Sequence, residues 1–220
     1  MVLAGEVFTG ERRLEKPGTA IAHDLPLEIR ARTGAWVSRG ALKLIHGLDH
    51  FAIDPTDATA LDVGASTGGF TEVLLARGAR RVYAVDVGHG QLHQKLRHDP
   101  RVVVLERVNA RFLTAAEVPE PPDLVVCDAS FISLTQVLPP GLALAAPAAR
   151  LVALIKPQFE VGRGEVGKGG VVRDPALHEV VCARIAQWLD DEPGWRVLGL
   201  TPSPVTGPKG NREFLIAARR

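Results

Sequence analysis

Short apolar runs alternate with amphipathic segments along most of the chain. The apolar runs are rich in Val, Leu and Ala, as expected for strands that are buried on both faces of a sheet. They are Ala58–Val63, Arg81–Asp86, Val102–Glu106, Leu124–Asp128 and Arg150–Ile155. The segments with helical periodicity are Gly40–Gly47, Phe70–Arg77, Gln91–Arg97, Ser133–Leu144 and Pro175–Leu189. Strands that alternate with helices form a parallel sheet with crossover helices, so the pattern predicts a doubly wound α/β protein.

The end of the chain departs from this alternation. Trp195–Thr201 and Glu213–Ala218 have the pattern of strands, and a loop rich in Pro and Gly joins them without a helix. Strands connected in this way pair antiparallel. The complete prediction is a seven-stranded, mostly parallel sheet that ends in an antiparallel hairpin.

The first 32 residues have a different pattern from the rest. They contain short β-like pieces around Val2–Val7 and Leu27–Arg30, which are too little chain for an independent core. A chain of 220 residues with 46% hydrophobic content can bury one substantial core. We therefore expect a short N-terminal segment over residues 1–32 and one main domain over residues 33–220.

Composition and charge limit the classes of function. The formal net charge is +1, so a nucleic-acid site has to be a local feature of the surface. Cys127 and Cys182 stand singly, which suits a reducing compartment. The chain has neither a secretory signal pattern at its start nor an apolar run of roughly 18 residues that could span a membrane. These features predict a cytoplasmic protein without a membrane span.

A glycine-rich loop leaves the first main strand and opens a helix, with the sequence Asp62-Val63-Gly64-Ala65-Ser66-Thr67-Gly68-Gly69-Phe70. Glycines allow a tight turn and a close approach of the backbone to a ligand. Asp86 ends the next strand, where a carboxylate can accept hydrogen bonds from the hydroxyls of an adenosine ribose. The dinucleotide fingerprint is imperfect here, and the terminal hairpin favours a methyl donor. A tight turn without a ligand is the alternative.

Two charged residues follow strands that should be neighbours. Asp128 ends one strand and Lys156 follows the next, so both are expected at the carboxyl edge of the sheet, where open α/β sheets have their active sites. A lysine amine partly removed from water can act as a general base, and an aspartate can orient it. An ordinary structural ion pair is the alternative. Lys43 and Glu213, considered singly, have the pattern of solvated surface charges.

From about Trp36 to its end, the chain resembles the TlyA (hemolysin A) family of ribosomal RNA methyltransferases and, more distantly, the heat-shock ribosomal RNA ribose methyltransferases. The motifs that carry the resemblance are Val37-Ser38-Arg39-Gly40-Ala41-Leu42-Lys43-Leu44, the Asp62 to Phe70 loop, Cys127-Asp128-Ala129-Ser130-Phe131-Ile132-Ser133, Ile155-Lys156-Pro157-Gln158-Phe159-Glu160 and Gly210-Asn211-Arg212-Glu213-Phe214.

The resemblance implies a Rossmann-like class I methyltransferase with S-adenosylmethionine as methyl donor and no metal. It implies a catalytic tetrad at Lys43, Asp128, Lys156 and Glu213, and cytidine riboses of ribosomal RNA or ribosomal subunits as acceptors. The predicted cofactor contacts are Asp62, Gly64, Ser66, Thr67, Gly68, Gly69, Phe70, Asp86, Val87 and Asn109. The first 32 residues resemble the tail of a small RNA-binding domain followed by a linker.

Several features fit more than one function. The glycine-rich segment from Gly162 to Arg173 contains Arg163 and Lys168 and is either an RNA-gripping loop or an exposed flexible one. An NAD-dependent oxidoreductase would share the glycine loop and Asp86. The sequence also leaves open a membrane-active hemolysin-like protein and a non-catalytic RNA-binding module, and it does not determine the oligomeric state.

Overall fold

In the computed structural model, the described residues are 7–10, 12–14, 20–22, 25–29, 36–162, 164–167 and 169–220. Most of the predicted N-terminal strand around Val2–Val7 lies outside them, as do Arg30 and two basic residues of the glycine-rich segment, Arg163 and Lys168. Within the described N-terminal residues, three short strands pair antiparallel in the order β2-β1-β3. They are β1 (Val7–Thr9), β2 (Arg12–Arg13) and β3 (Glu28–Ile29).

Seven strands of the described main domain form one sheet in the order β6-β5-β4-β7-β8-β10-β9. Their bounds are β4 (Thr59–Val63), β5 (Arg81–Asp86), β6 (Val102–Glu106), β7 (Leu124–Cys127), β8 (Arg150–Ile155), β9 (Arg196–Pro202) and β10 (Phe214–Arg219). β4 to β8 pair in parallel, whereas β10 is antiparallel to both β8 and β9. The predicted α/β sheet with its C-terminal antiparallel pair is confirmed.

The α-helices of the described residues are α1 (Gly40–His50), α2 (Gly69–Ala76), α3 (Gln94–Arg97), α4 (Leu134–Val137), α5 (Pro139–Leu144), α6 (Pro157–Glu160) and α7 (Pro175–Asp191). The predicted start of α7 is confirmed, because the Asp174 side chain accepts a hydrogen bond from the Ala176 amide at 2.9 Å and Pro175 occupies the first turn.

Two helices differ from the prediction. The segment predicted as one helix over Ser133–Leu144 is two short helices, because Pro139 and Pro140 have no amide hydrogen to donate to the preceding turn. The helix predicted over Gln91–Arg97 begins three residues later, at Gln94. The amides of Gly90, Gln91 and Leu92 donate to the Glu106 carboxylate instead of joining a helix.

Helices cover both faces of the sheet. Alternate residues of each strand point to opposite faces, so Leu61 and Val63 of β4 join one apolar cluster while Ala60 joins the other. α1 and α2 pack on the face of Ala60, and α4, α5 and α7 pack on the face of Leu61. Burial on both faces accounts for the nearly continuous apolar runs of these strands.

The topology gathers several chain segments at one edge of the sheet. The parallel strands β4, β5, β7 and β8 all end there. β10 runs the other way, and its first residue, Phe214, pairs with Ile155 at the end of β8. The residue before β10 therefore lies beside the residue after β8. In the described part of the chain, no helix has the length and apolar character that a membrane crossing requires.

Candidate active site

The glycine loop turns tightly between β4 and α2. Gly64 and Gly68 have φ of +83° and +97°, a left-handed conformation that favours glycine. A Cβ on Gly64 would lie 2.9 Å from the Cα of Ala129, so the loop also packs against the backbone that follows β7. The amides of Gly64 and Ala65 both donate to the Val85 carbonyl at 2.9 and 3.0 Å. The loop is thus fixed to both neighbouring strands.

The Asp86 carboxylate is held at the end of β5 by backbone amides. One oxygen accepts from the Ser66 amide at 2.8 Å, and the other accepts from the Gly88 amide at 2.7 Å. Each carboxylate oxygen has a further acceptor position. Asp86 can therefore accept additional hydrogen bonds from a ligand's hydroxyl groups without losing its own support.

A cavity of about 460 Å³ opens at this edge of the sheet, a volume in the range of small-molecule sites. Of the predicted cofactor residues, those that line it are Gly64, Ser66, Asp86, Val87 and Asn109. The cavity combines the Asp86 carboxylate with apolar walls from Val85, Val108 and Ile132. An acceptor for ribose hydroxyls next to apolar surfaces for a base fits the adenosyl part of S-adenosylmethionine.

The other predicted cofactor residues, Asp62, Thr67, Gly68, Gly69 and Phe70, are not part of the cavity lining. Asp62 is fully buried, one of its oxygens accepts from the Thr71 hydroxyl at 2.6 Å, and burial raises its pKa to about 7. A Cβ on Gly69 would lie 2.2 Å from the Ser38 hydroxyl. The hydrogen bond of Asp62 and the close packing of Gly69 against Ser38 support the glycine loop. Direct contact of the five residues with a cofactor stays a prediction.

Sequence reasoning did not select several residues that line the cavity. Gln91 lies next to the glycine loop, where the Ser66 hydroxyl is 3.4 Å from its amide oxygen. Arg111 follows Asn109, whose side chain caps a short 3₁₀ helix over Ala110–Phe112. Ser130 and Phe131 come after Asp128, within a motif that the family resemblance already included. That motif could have identified Ser130 and Phe131 as site residues, whereas no pattern in the sequence pointed to Gln91 or Arg111.

The four predicted catalytic residues lie together in a row of alternating charges. Lys43 Nζ is 2.6 Å from Glu213 Oε2 and 3.8 Å from Asp128 Oδ2, and Lys156 Nζ is 2.6 Å from Asp128 Oδ1. Lys43 is 8% exposed and Glu213 is 2% exposed, so neither is the solvated surface charge that its local sequence indicates. Buried charges of this kind require partners.

The fold explains why residues so distant in sequence meet. Asp128 follows β7, Lys156 follows β8 and Glu213 precedes β10, and these three strands are neighbours in the sheet. Lys43 comes from α1, which packs over β8 and β10. The antiparallel direction of β10 is essential, because a parallel strand would carry Glu213 to the opposite edge.

The loops after β7 and β8 are fastened to each other by Glu160. Its carboxylate accepts from the Ser133 hydroxyl at 2.6 Å and from the Leu134 amide at 2.8 Å. Burial raises the pKa of Glu160. Glu160 was part of a recognised motif but was not predicted to have a role. It connects the loop that carries Lys156 with the loop that carries Asp128.

The described part of the glycine-rich segment lies beside the loop that precedes Glu213. The Asn211 side chain donates to the Gly170 carbonyl at 3.0 Å and accepts from the Val172 amide at 3.2 Å, and Lys209 donates to the Gly169 carbonyl at 2.9 Å. Arg173 is exposed next to this junction. Contact of this segment with RNA phosphates stays a prediction.

Another cavity of about 460 Å³ lies at the opposite edge of the sheet, near Asp54, Asp57 and Arg150, and contains none of the predicted site residues. Burial raises the pKa of the Cys127 thiol to about 12, which keeps it protonated. Among the described residues, no group of three or more His, Cys, Asp and Glu side chains is arranged to hold a metal ion.

A glycine turn after β4, a carboxylate after β5 and a charged row beside the same cavity define a Rossmann-like class I methyltransferase. Residues 36–220 match the FtsJ-like methyltransferase family. The chain belongs to this family, in its TlyA (hemolysin A) group. The match confirms the predicted methyltransferase with S-adenosylmethionine as donor, and it favours that class over the NAD-dependent oxidoreductase.

The relatives support this assignment. The chain is 50% identical over 223 residues to the 16S/23S rRNA (cytidine-2'-O)-methyltransferase TlyA of Mycobacterium tuberculosis, covering 100% of this chain and 82% of the relative. It is 40% identical over 216 residues to Hemolysin A of Brachyspira hyodysenteriae, covering 98% and 89%. A solved structure described as a hemolysin from Streptococcus thermophilus has a TM-score of 0.83 and 41% identity, covering 100% of this chain and 80% of that one.

Proposed function

We propose that this protein transfers a methyl group from S-adenosylmethionine to the 2'-hydroxyl of a cytidine ribose in ribosomal RNA. The observation that carries the proposal is the row Glu213, Lys43, Asp128 and Lys156, whose member Asp128 lines the same cavity as Asp86. The names of the TlyA relatives, which specify cytidine 2'-O-methylation of rRNA, support the choice of acceptor.

The cofactor is held by the glycine loop and by Asp86. In this proposal the Asp86 carboxylate accepts from the ribose hydroxyls of the adenosine, and Val87 and Asn109 lie beside the base. The loop from Gly64 to Phe70 lines the methionine half. The bound cofactor supplies a methyl group on a positively charged sulfur, which is an activated leaving group and requires no metal.

Lys156 is the general base of the reaction. Its amine takes the proton of the ribose hydroxyl while the Asp128 carboxylate fixes its position through their 2.6 Å contact. Lys43 and Glu213 complete the row and orient the acceptor ribose through hydrogen bonds and charge. Positioning of the acceptor oxygen and the methyl group supplies much of the rate.

An exposed aromatic ring provides a surface for the acceptor nucleotide. Phe131 lines the cavity, is 89% exposed and lies 4.9 Å from the ring of Phe159. RNA bases that are removed from their stack bind on aromatic side chains. Phe131 is therefore in place to stack with the acceptor base, and Arg173 of the adjoining segment can contact the RNA backbone.

In this proposal, residues 33–220 form the catalytic domain, and residues 1–32 belong to an RNA-binding domain and a linker. The substrate is a ribosomal subunit, either by itself or within an assembled ribosome. An enzyme that modifies ribosomal RNA works in the cytoplasm, which agrees with the singly placed cysteines.

The decisive experiment is transfer of labelled methyl groups to isolated ribosomal subunits, followed by mapping of ribose methylation. Lys156→Ala should abolish transfer and leave S-adenosylmethionine binding intact, whereas Asp86→Ala should weaken binding in titration calorimetry. Lys95→Ala is the control, since Lys95 is an exposed lysine that pairs with Glu72 away from the row. Unchanged turnover in Lys156→Ala would refute the base assignment. RNA binding by the wild type without any methyl transfer would support a non-catalytic module instead.

A further inference from the structure

The amine of Lys156 is surrounded by hydrogen-bond acceptors. Within the described part of the chain, Lys156 Nζ lies 2.6 Å from Asp128 Oδ1, 2.8 Å from Ser130 Oγ and 3.1 Å from the Asp128 carbonyl oxygen. A protonated amine has three N–H donors. Two of them are used by hydrogen bonds to Ser130 Oγ and the Asp128 carbonyl oxygen, and the Asp128 carboxylate is the ion-pair partner of the amine.

The base form of the amine has two N–H donors and one lone pair, so a partner that faces the lone pair has to donate to it. A carboxylate and a carbonyl oxygen can only accept, whereas a serine hydroxyl can both donate and accept. Of the three partners, Ser130 alone can therefore reverse its hydrogen bond when Lys156 loses a proton. The lone pair of the neutral amine then faces the Ser130 oxygen.

The position of Ser130 connects the amine with the cavity. Lys156 is only 7% exposed, whereas Ser130 is exposed and lines the cavity beside the cofactor residues. Ser130 is thus part of the lining of the cavity that an acceptor hydroxyl would enter, whereas Lys156 is not. The contact of Glu160 with Ser133 holds the loop that carries Ser130 in this place.

We propose that Ser130 is a catalytic proton relay between the acceptor hydroxyl and Lys156, an inference that rests on the proposed function. The proton of the acceptor hydroxyl passes to Ser130 Oγ while the serine's own proton passes to the lone pair of Lys156 Nζ. The acceptor oxygen uses the freed electron pair to form the bond to the methyl carbon, and the pair of the broken C–S bond stays on sulfur. The serine ends neutral, and the ammonium of Lys156 later returns its proton to water by the reverse path.

The test is a proton inventory of single-turnover methyl transfer at saturating donor, in mixtures of H₂O and D₂O. A relay moves two protons together, so the wild-type rate should depend on the deuterium fraction along a curve. Ser130→Ala should lower the rate about a hundredfold, in the range of general acid–base contributions, and its inventory should become linear. Ser130→Thr keeps the hydroxyl and should recover most of the rate and the curvature.

Ser66→Ala is the matched control, because Ser66 also lines the cavity but makes its side-chain contact with Gln91. The proton inventory of Ser66→Ala should stay curved even where donor binding changes. Calorimetry should show that Ser130→Ala binds the donor as the wild type does. A linear wild-type inventory, a Ser130→Ala rate within twofold of wild type, or a curved inventory in that variant overturns the relay. If the wild type transfers no methyl group to ribosomal RNA, the proposed function itself fails.

Discussion

The buried pair of Lys43 and Glu213 should be needed for activity, whereas an apolar pair in its place should support the fold about equally well. The Glu213 side chain is fully buried and lies 2.6 Å from the Lys43 amine, which is itself nearly buried. Glu213→Ala removes one partner and leaves the Lys43 charge with Asp128 as its remaining neighbour, at 3.8 Å. We therefore expect Glu213→Ala to destabilise the fold, because an uncompensated buried charge is costly.

The magnitude follows from the burial of the pair. Removing one partner of a buried ion pair costs about 3–5 kcal/mol, and the nearby Asp128 places this case at the lower end, about 3 kcal/mol. For a domain of this size, each kcal/mol shifts the unfolding temperature by about 2–4 °C, so a decrease of roughly 6–12 °C is expected. The double variant Lys43→Met with Glu213→Leu replaces the pair by apolar groups and should unfold within about 1 kcal/mol of the wild type.

Thermal unfolding followed by circular dichroism measures these differences, and methyl transfer is measured in parallel. Asp49→Ala, which breaks an exposed pair with Arg77, is the control and should change the unfolding temperature far less than Glu213→Ala. Both the single and the double variant should lose methyl transfer. Equal destabilisation of the two would refute the reasoning, because it would show that packing rather than the unpaired charge determines the cost.

Three further predictions concern the cofactor loop, the acceptor surface and the neighbouring loop. Burial raises the pKa of Asp62 from 3.8 to about 7, so the folded state holds this proton more tightly than the unfolded state does. The protein should therefore lose stability as the pH rises between these two values. Asp62→Asn should flatten that part of the curve of unfolding temperature against pH. Phe131→Ala should raise the KM for RNA roughly tenfold through lost stacking, and Phe131→Trp should restore it; an unchanged KM in the alanine variant would contradict the stacking role. Glu106→Ala should weaken donor binding in calorimetry, since it frees the amides of Gly90 and Leu92 beside the cavity, and unaltered affinity would argue against that support.

The parts of the fold that depend on local sequence were predictable. The bounds of β5, β6 and β8 agree with the apolar runs, because the inner residues of each strand pack into the apolar clusters on the two faces of the sheet. The predicted helix over Ser133–Leu144 was wrong where Pro139 and Pro140 interrupt it, and this break could have been found from the sequence. The late start of α3 could not, since it depends on the distant carboxylate of Glu106.

The candidate site likewise has one part that the local sequence predicts and another that depends on the tertiary structure. The glycine loop and Asp86 are recognisable because each lies directly after a strand, so the local pattern alone predicts a nucleoside-type cofactor. Only the side-chain geometry shows that Ser130 contacts Lys156 and that Glu160 links two loops. The motifs that contain them mark a family and do not state which atom contacts which.

By itself, the sequence determined that this chain forms a mostly parallel α/β sheet with a glycine-rich loop after its first main strand, because periodicity and turn residues act between near neighbours. Only the tertiary structure decided that Lys43 and Glu213, separated by 170 positions, are buried together next to Asp128. The physical reason is the insertion of β10, antiparallel, beside β8. That pairing places two residues with the local pattern of surface charges in one buried row of alternating charges with Asp128 and Lys156.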